Sequence, residues 1–91
     1  MEFEWNPDKA AINLSKHGIS FQEAVTVFND SLSLTFPDSE HSIGENRYVI
    51  IGMSSLGKLL VVSHTDTEDR TRIISARTAT RPEKRFYEEG S

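Results

Sequence analysis

Residues 47–78 read RYVIIGMSSLGKLLVVSHTDTEDRTRIISART, and this stretch decides the fold. It contains three runs of β-branched and apolar residues, which are Arg47 to Met53, Lys58 to Thr65 and Arg70 to Thr78, separated by two turns of four residues. Loops this short join antiparallel neighbours, because a parallel connection needs about a dozen residues or more. The stretch therefore predicts three adjacent antiparallel strands.

Helix signals come before this stretch. Residues 2–5 predict a short first strand, and Asn6 followed by Pro7 is typical of an N-cap with proline in the first helical turn. The helix that opens there is expected to run to about Lys16 and to end at Gly18. The chain thus begins with a strand followed by a helix.

A second helix is predicted almost at once. Ser20 with Glu23 three residues later forms a capping-box pattern. The apolar residues recur at the i, i+3, i+4 and i+7 spacing of one helical face. They are Phe21, Ala24, Val25 and Phe28. The pattern predicts a helix to about Phe28 that packs one stripe against another element.

The remaining elements flank the three strands. Residues 32–36 alternate apolar and polar side chains as a half-buried strand does, and residues 37–46 form a polar loop. Thr80 and Glu83 make another possible capping box, which opens a polar helix from Arg81 to Glu89. The order β-α-α-β-β-β-β-α predicts an α+β domain, an antiparallel sheet with its helices gathered on one face.

Length and composition favour one ordinary globular domain over residues 1–91. The chain has no cysteine, which excludes disulfides and thiolate metal sites and is compatible with the cytoplasm. The start, MEFEWNP, has no basic and apolar regions of a signal peptide. The longest apolar run, residues 59–62, is far shorter than the ~20 residues of a membrane span.

Charge is divided unevenly along the chain. Residues 1–46 carry two lysines and eight acidic residues, whereas residues 47–86 carry eight basic and four acidic residues. A basic half in a chain of net charge −4 is expected when one surface binds nucleic acid. Three of the basic residues, Arg70, Arg72 and Arg77, lie on the last predicted strand, where guanidinium groups suit a polyanion.

Several linked motifs resemble the BrnT family of bacterial toxins, in the same order and nearly end to end. They are FEWNPDKA at residues 3–10, NLSKHGISF at 13–21, AVTVFND at 24–30, RIISAR at 72–77 and RFYEE at 85–89. Arg77 and the Lys16-His17-Gly18 corner coincide with positions of the family motifs.

The resemblance implies a RelE-like fold, with two N-terminal helices on one face of an antiparallel sheet and a C-terminal helix. It also implies a ribonuclease that blocks translation. The implied partner is BrnA, an antitoxin of the ribbon-helix-helix type that binds DNA as a complex with the toxin. A hetero-oligomer with that antitoxin is therefore expected.

RNA cleavage needs few protein groups, since the 2′-hydroxyl is the nucleophile. The reaction needs a base, an acid for the leaving 5′-oxygen and cations for the phosphate, but no metal or other cofactor. His64 is the leading acid or base because the ordinary pKa of histidine is about 6.5. Arg72 and Arg77 are expected to stabilise charge, and Glu68, like its neighbour Asp69, could act as a base or orient an arginine.

A second set of basic residues is expected to contact the RNA backbone. It consists of Lys16, His17, Arg70, Arg81, Lys84 and Arg85. No zinc motif is recognisable, because the three histidines of the chain are scattered.

Structural roles compete with these assignments. Arg70 and Arg72 have the opposite strand parity to Arg77, so the three cannot share one face of a regular strand and at least one should be structural. Arg70 is as well suited to a salt bridge with Asp66, Glu68 or Asp69 of the preceding turn as it is to catalysis. His64 could be a surface histidine beside acids, and His17 is better suited to capping the end of the first helix.

Two functions follow from these residues. The first is a metal-independent endoribonuclease toxin held inactive by its antitoxin. The alternative is a non-catalytic module whose basic sheet binds RNA or an acidic protein segment.

Overall fold

The computed structural model describes residues 2–38 and 46–90. The elements follow the predicted order and are β1 Glu2–Glu4, α1 Pro7–His17, α2 Phe21–Thr26, β2 Leu34–Pro37, β3 Arg47–Met53, β4 Leu59–Asp66, β5 Arg70–Thr78 and α3 Arg81–Glu89. The predicted bounds of β3, β5 and α3 agree with these. Residues 39–45 of the predicted polar loop lie outside the described residues. No helix in the described part is long and apolar enough to cross a membrane.

The five strands form one sheet in the order β1-β5-β4-β3-β2. The three pairs among β5, β4, β3 and β2 are antiparallel, as predicted. The exception is the edge strand β1, which runs parallel to β5. No hairpin joins β1 to β5, so the short turns that fix the direction of β3, β4 and β5 do not constrain it.

Helices α1 and α2 cover one face of the sheet and enclose the core. The buried apolar residues are Ile19, Phe21, Ala24, Val27, Ile50, Leu60, Val62, Ile73 and Ala76. Helix α2 ends before the predicted Phe28 because the chain tightens into a 3₁₀ turn at Val27–Asn29. With about three residues per turn, Val27 falls on the buried side three residues after Ala24, whereas Val25 and Phe28 are only partly buried.

Helix α3 lies on the opposite face of the sheet. Its Phe86 contacts Phe36 of β2, with ring centroids 5.8 Å apart. Phe36 is paired with Val49 of β3. The next residue of that strand, Ile50, points into the core, so Val49 and Phe36 point to the opposite face. The expectation that all helices gather on one face therefore holds for α1 and α2 but not for α3. The reason is that the outer face of the sheet also carries apolar side chains, and α3 packs over part of them.

The C-terminal end of α3 is held by Tyr87, whose hydroxyl donates a 2.6 Å hydrogen bond to Asp30. This bond raises the pKa of Tyr87 to about 12. Burial alone would raise the pKa of Asp30, but hydrogen bonds from the backbone N–H of Met53, the Tyr87 hydroxyl and the backbone N–H of Leu32 outweigh it and lower the pKa. The ionised Asp30 therefore joins α3 to β3 and to the turn before β2.

Buried Asn13 joins α1 to the sheet. Its amide nitrogen donates to the carbonyl oxygens of Ile19 and Ala76, at 2.9 and 2.8 Å, and its oxygen accepts from the backbone N–H of Ala76 at 3.0 Å. The two bonds with Ala76 reproduce those of a neighbouring strand. Asn13 thus completes the edge of β5 beyond Arg72, the last residue that β1 pairs with.

Replacement of Asn13 by alanine should lower the free energy of unfolding by at least about 2 kcal/mol, because it leaves buried backbone groups without partners. Urea denaturation would measure the change. The exposed Ser15 of the same helix provides the control, since Ser15→Ala should change stability by less than about 0.5 kcal/mol. Equal stability of the two variants would contradict this role of Asn13.

Candidate active site

The outer face of the sheet, which α3 crosses, carries three cross-strand rows of side chains that we call the arginine face. Read from β5 through β4 to β3, the rows are Arg72-Thr65-Arg47, Ser75-Ser63-Val49 and Arg77-Val61-Ile51. Residues directly opposite each other on neighbouring strands have Cβ atoms about 4.5–5.5 Å apart. The row that holds the two serines therefore lies between the row that holds Arg72 and Arg47 and the row that holds Arg77.

A β-bulge brings the arginines of β5 to the same face. The register between β4 and β5 shifts between Ser63 and His64, which leaves Ile74 as an extra residue on β5. An extra residue reverses the alternation of side chains, so Ile73 before it and Ala76 after it both point into the core. The expectation that the arginines of this strand cannot share one face is therefore wrong, since it assumed a regular strand.

A groove of about 830 Å³ lies between the arginine face and α3. Ligand pockets typically have volumes of about 300–1,000 Å³. Besides residues of the arginine face, its lining includes Phe36, Pro37 and Asp38 from β2 and its end, and Pro82, Glu83 and Phe86 from α3. It is larger than two other concavities of the described residues, which have volumes of about 240 and 140 Å³.

Arg77 and Glu83 form a bidentate ion pair at one end of the groove. The two guanidinium nitrogens lie 2.8 Å from the two carboxylate oxygens. The hydrogen bonds from Arg77, helped by those from Thr80, lower the pKa of Glu83 to about 2. Glu83 also raises the pKa of Arg77. A carboxyl group this acidic is a poor proton carrier at neutral pH, so Glu83 is a counter-ion and, with Thr80, the confirmed capping box of α3.

The other two arginines of the face also contact carboxylates. Arg47 lies 3.5 Å from Asp38, and Arg72 lies 3.1 Å from Glu4, which Arg70 contacts at 3.0 Å. The hydrogen bond from Arg70 and the charge of Arg72 lower the pKa of Glu4. Exposed ion pairs contribute only about 0–1 kcal/mol each, so a phosphate group can compete with Glu4 for the largely exposed Arg72. The pair of Arg47 with Asp38 is more buried.

His64 lies in the core, on the face of the sheet opposite the arginine face. Its side chain is 3% exposed and packs against the rings of Phe28 and Tyr48. Nδ1 is 2.8 Å from Oδ1 of Asp66, and the buried Nε2 has no hydrogen-bond partner within the described residues. The structure does not bring His64 to the arginine face, and its role as acid or base stays a prediction.

The predicted residues outside the sheet lie in two places. Glu68 is exposed in the turn between β4 and β5, beside a small pocket of about 140 Å³. Lys16 and His17 end α1 and line a second pocket of about 240 Å³ together with Ser75, which also lines the groove. The end of α1 therefore adjoins the arginine face, whereas Glu68 lies in a separate pocket.

The basic residues of α3, which are Arg81, Lys84 and Arg85, are exposed to solvent. They do not line the groove, whose α3 wall consists of Pro82, Glu83 and Phe86. Within residues 2–38 and 46–90, no three histidine, aspartate or glutamate side chains are grouped as metal ligands. The chemistry available in the groove is thus that of cations, hydroxyls and apolar surface.

Comparison with known proteins decides the family. The sequence profile described as "Ribonuclease toxin, BrnT, of type II toxin-antitoxin system" matches residues 5–83. The chain belongs to the BrnT family. It is similar in fold to the crystal structure of the Brucella abortus ribonuclease toxin BrnT, with a TM-score of 0.69 and 21% sequence identity over 89% of this chain and 99% of that one. Among curated proteins, none matches the chain.

Membership of the BrnT family makes the chain a ribonuclease toxin of a type II toxin–antitoxin system, as the sequence motifs predicted. The residues that sequence reasoning did not single out are Arg47, Ser63 and Ser75. A signal for the serines was present, because each interrupts an apolar strand, in VVSH and IISA. An isolated hydroxyl in such a run indicates that this side of the strand faces something other than the core.

The ion pair between Glu83 and Arg77 should be visible in the titration of Glu83 in this BrnT-family chain. We expect a carboxyl ¹³C NMR midpoint at about pH 2, against an ordinary value of 4.5. Because the folded pKa is the lower one, the pair stabilises the fold fully above pH 4.5, and its contribution is lost as pH falls toward 2.

In the Arg77→Gln variant the Glu83 midpoint should rise, while that of Glu4, which is lowered by Arg70 and Arg72, should stay where it is. A Glu83 midpoint that does not respond to the loss of Arg77 would show that the pair does not form in solution.

Proposed function

We propose that this BrnT-family toxin is a metal-independent endoribonuclease that cleaves RNA on the arginine face and thereby inhibits translation in the cytoplasm. The observation that carries the proposal is the groove that Arg47 and Arg77 line together with the Ser63–Ser75 pair, with Arg72 on the same face of the sheet. Family membership supports RNA as the substrate. The arrangement suits a phosphate group seated over the two serines.

The reaction proceeds within the RNA chain. The 2′-hydroxyl gives its proton to solvent water as its oxygen attacks the neighbouring phosphorus. The new 2′-O–P bond forms as the P–O5′ bond breaks, and the leaving 5′-oxygen takes a proton from water, so that a 2′,3′-cyclic phosphate and a 5′-hydroxyl result. Negative charge develops on the phosphate oxygens in the transition state. Arg77 meets this charge by exchanging the Glu83 carboxylate for phosphate, since its fork of donors fits both groups.

Charge stabilisation and positioning supply most of the catalysis in this proposal. The described residues that line the groove include no imidazole, and Glu83 is too acidic to carry protons near neutrality. His64 and Glu68, the proton carriers predicted from the sequence, lie away from the groove. We therefore assign Arg77, which lines the groove, as the main catalytic residue and Arg47 as a phosphate ligand. Arg72 lies on the same face outside the groove lining, where it contacts Glu4, and we assign it charge stabilisation from that position. Lys16 and His17 are neighbouring RNA contacts.

The purified toxin should cleave RNA in the presence of EDTA and leave a 2′,3′-cyclic phosphate or its 3′-phosphate product. Arg77→Ala should lower the cleavage rate about 10²–10³-fold, the usual cost of one charge-stabilising donor. Arg77→Lys should recover little of this activity, because lysine lacks the bidentate fork. Gel analysis of end-labelled RNA would measure both the rate and the product ends.

Arg70→Ala is the matched control for Arg77→Ala, because Arg70 is an arginine of the same strand that is also paired to a carboxylate but lies outside the three rows of the arginine face and outside the groove. It should lower the rate far less than Arg77→Ala. Complete loss of cleavage on chelation, restored by a divalent ion, would contradict the mechanism. RNA binding without any cleavage would favour the alternative, a non-catalytic binding module.

The antitoxin, which we propose to be BrnA-like, should inhibit by laying an acidic segment across the arginine face. Complex formation should then slow as salt rises, because screening weakens electrostatic steering. Arg72→Glu should lower the association rate further. Lys9→Glu, the same charge reversal on exposed α1, is the control and should change the rate much less. Binding kinetics across a salt series that ignore both salt and Arg72→Glu would show that the antitoxin binds elsewhere.

A further inference from the structure

We propose that the end of the groove between Phe36 and Phe86 binds one unstacked nucleobase of the RNA. This inference rests on the proposed function, because it assigns a place to the base next to the phosphate that the arginine face holds. It adds a base-binding subsite, made of apolar and aromatic surface, to a site that so far recognises only phosphate.

The aromatic wall of this subsite is exposed in an unusual place. Helix α3 is very polar and has no buried residue, yet it carries Phe86, which is 39% exposed, beside the groove. Phe86 meets Phe36 edge to face, with planes at 77°. The two rings form a corner in which Phe86 keeps part of its surface exposed beside the groove. Each base stacked on an aromatic ring typically gains ~1–3 kcal/mol.

The floor of the subsite is apolar and is aligned with the serine pair. Phe36 pairs with Val49, and Val49 pairs with Ser63, so the three belong to one cross-strand row. Neighbouring strands are about 4.8 Å apart, which places Phe36 roughly 10 Å from Ser63. The distance from a phosphate over the serines to the far edge of its attached base is similar to this distance between Phe36 and Ser63.

The charges around the groove favour a nucleotide over a purely apolar occupant. Arg77 lies at one end of the lining and Arg47 near the other, with the apolar residues Val49, Ile51 and Val61 between them. A nucleotide within an RNA chain has the matching pattern, since its flat apolar base lies between a phosphate on its 5′ side and another on its 3′ side. An apolar peptide would leave the arginines without a function.

Binding of a short RNA that cannot be cleaved tests the subsite. The RNA carries 2′-O-methyl groups throughout and an abasic unit at each position in turn. For the wild-type toxin, loss of the base at one position should weaken binding about fivefold or more, and 2-aminopurine placed there should change its fluorescence on binding. For Phe86→Ala, the intact RNA should bind as weakly as the abasic RNA binds to wild type, and the abasic unit should cause no further loss.

Leu32→Ala is the matched control, because Leu32 is an exposed apolar residue that does not line the groove. It should behave as wild type, and thermal unfolding should show that Phe86→Ala remains folded. Abasic units that weaken wild type and Phe86→Ala equally at every position would overturn the proposal and leave the groove to a protein side chain.

Cleavage of unmodified RNA separates this proposal from the one it rests on. A toxin that cleaves RNA but shows no coupling between the base and Phe86 has the proposed activity without the subsite. A toxin that shows the coupling but does not cleave RNA has the subsite, and in that case the proposed ribonuclease mechanism fails.

Discussion

The pair of hydrogen bonds between Asn13 and the backbone of Ala76 is the constraint on which the arrangement of the sheet depends. β1 pairs with β5 only as far as Arg72, and the bulge at Ile74 follows directly. β4 pairs with β5 on both sides of the bulge, so the reversed alternation is kept and Arg77 points to the same face as Arg72. Asn13 satisfies the backbone of Ala76 on the outer edge, which β1 does not reach, and so lets this part of β5 stay buried under α1.

In this geometry the arginine side chains of the site are each paired with a carboxylate. Each arginine of the arginine face contacts a carboxylate, from Asp38, Glu4 or Glu83. Such pairs relieve the repulsion among three cations on neighbouring strands. The pair of Arg72 with Glu4 is the most exposed and therefore weak, whereas the bidentate pair of Arg77 with Glu83 is stronger. The pair with Glu83 has a second consequence, since it also fixes the first turn of α3 and so shapes the groove.

His64 and the arginines lie on opposite faces of the sheet, although their chemistry suggests a common active site. A histidine and several arginines within one short stretch resemble the parts of a metal-independent ribonuclease, but β4 alternates regularly and turns His64 into the core beside Phe28 and Tyr48. Its neighbour Ser63, which has simpler chemistry, faces the groove instead. The difference between the two is one position along a strand, because a single step reverses the face of the sheet.

The sequence by itself determined the order of the elements, most of their bounds and the family. Local signals suffice for these, because caps, turn lengths and side-chain alternation act over a few residues, as at Asn6, at Gly18 and in the capping box of Thr80. Only the tertiary structure decided that β1 pairs in parallel, which face of the sheet α3 covers and which residues form the site. Those features depend on contacts between residues far apart in the chain, such as Asn13 with Ala76, and on one unpaired residue, Ile74, that no local pattern reveals.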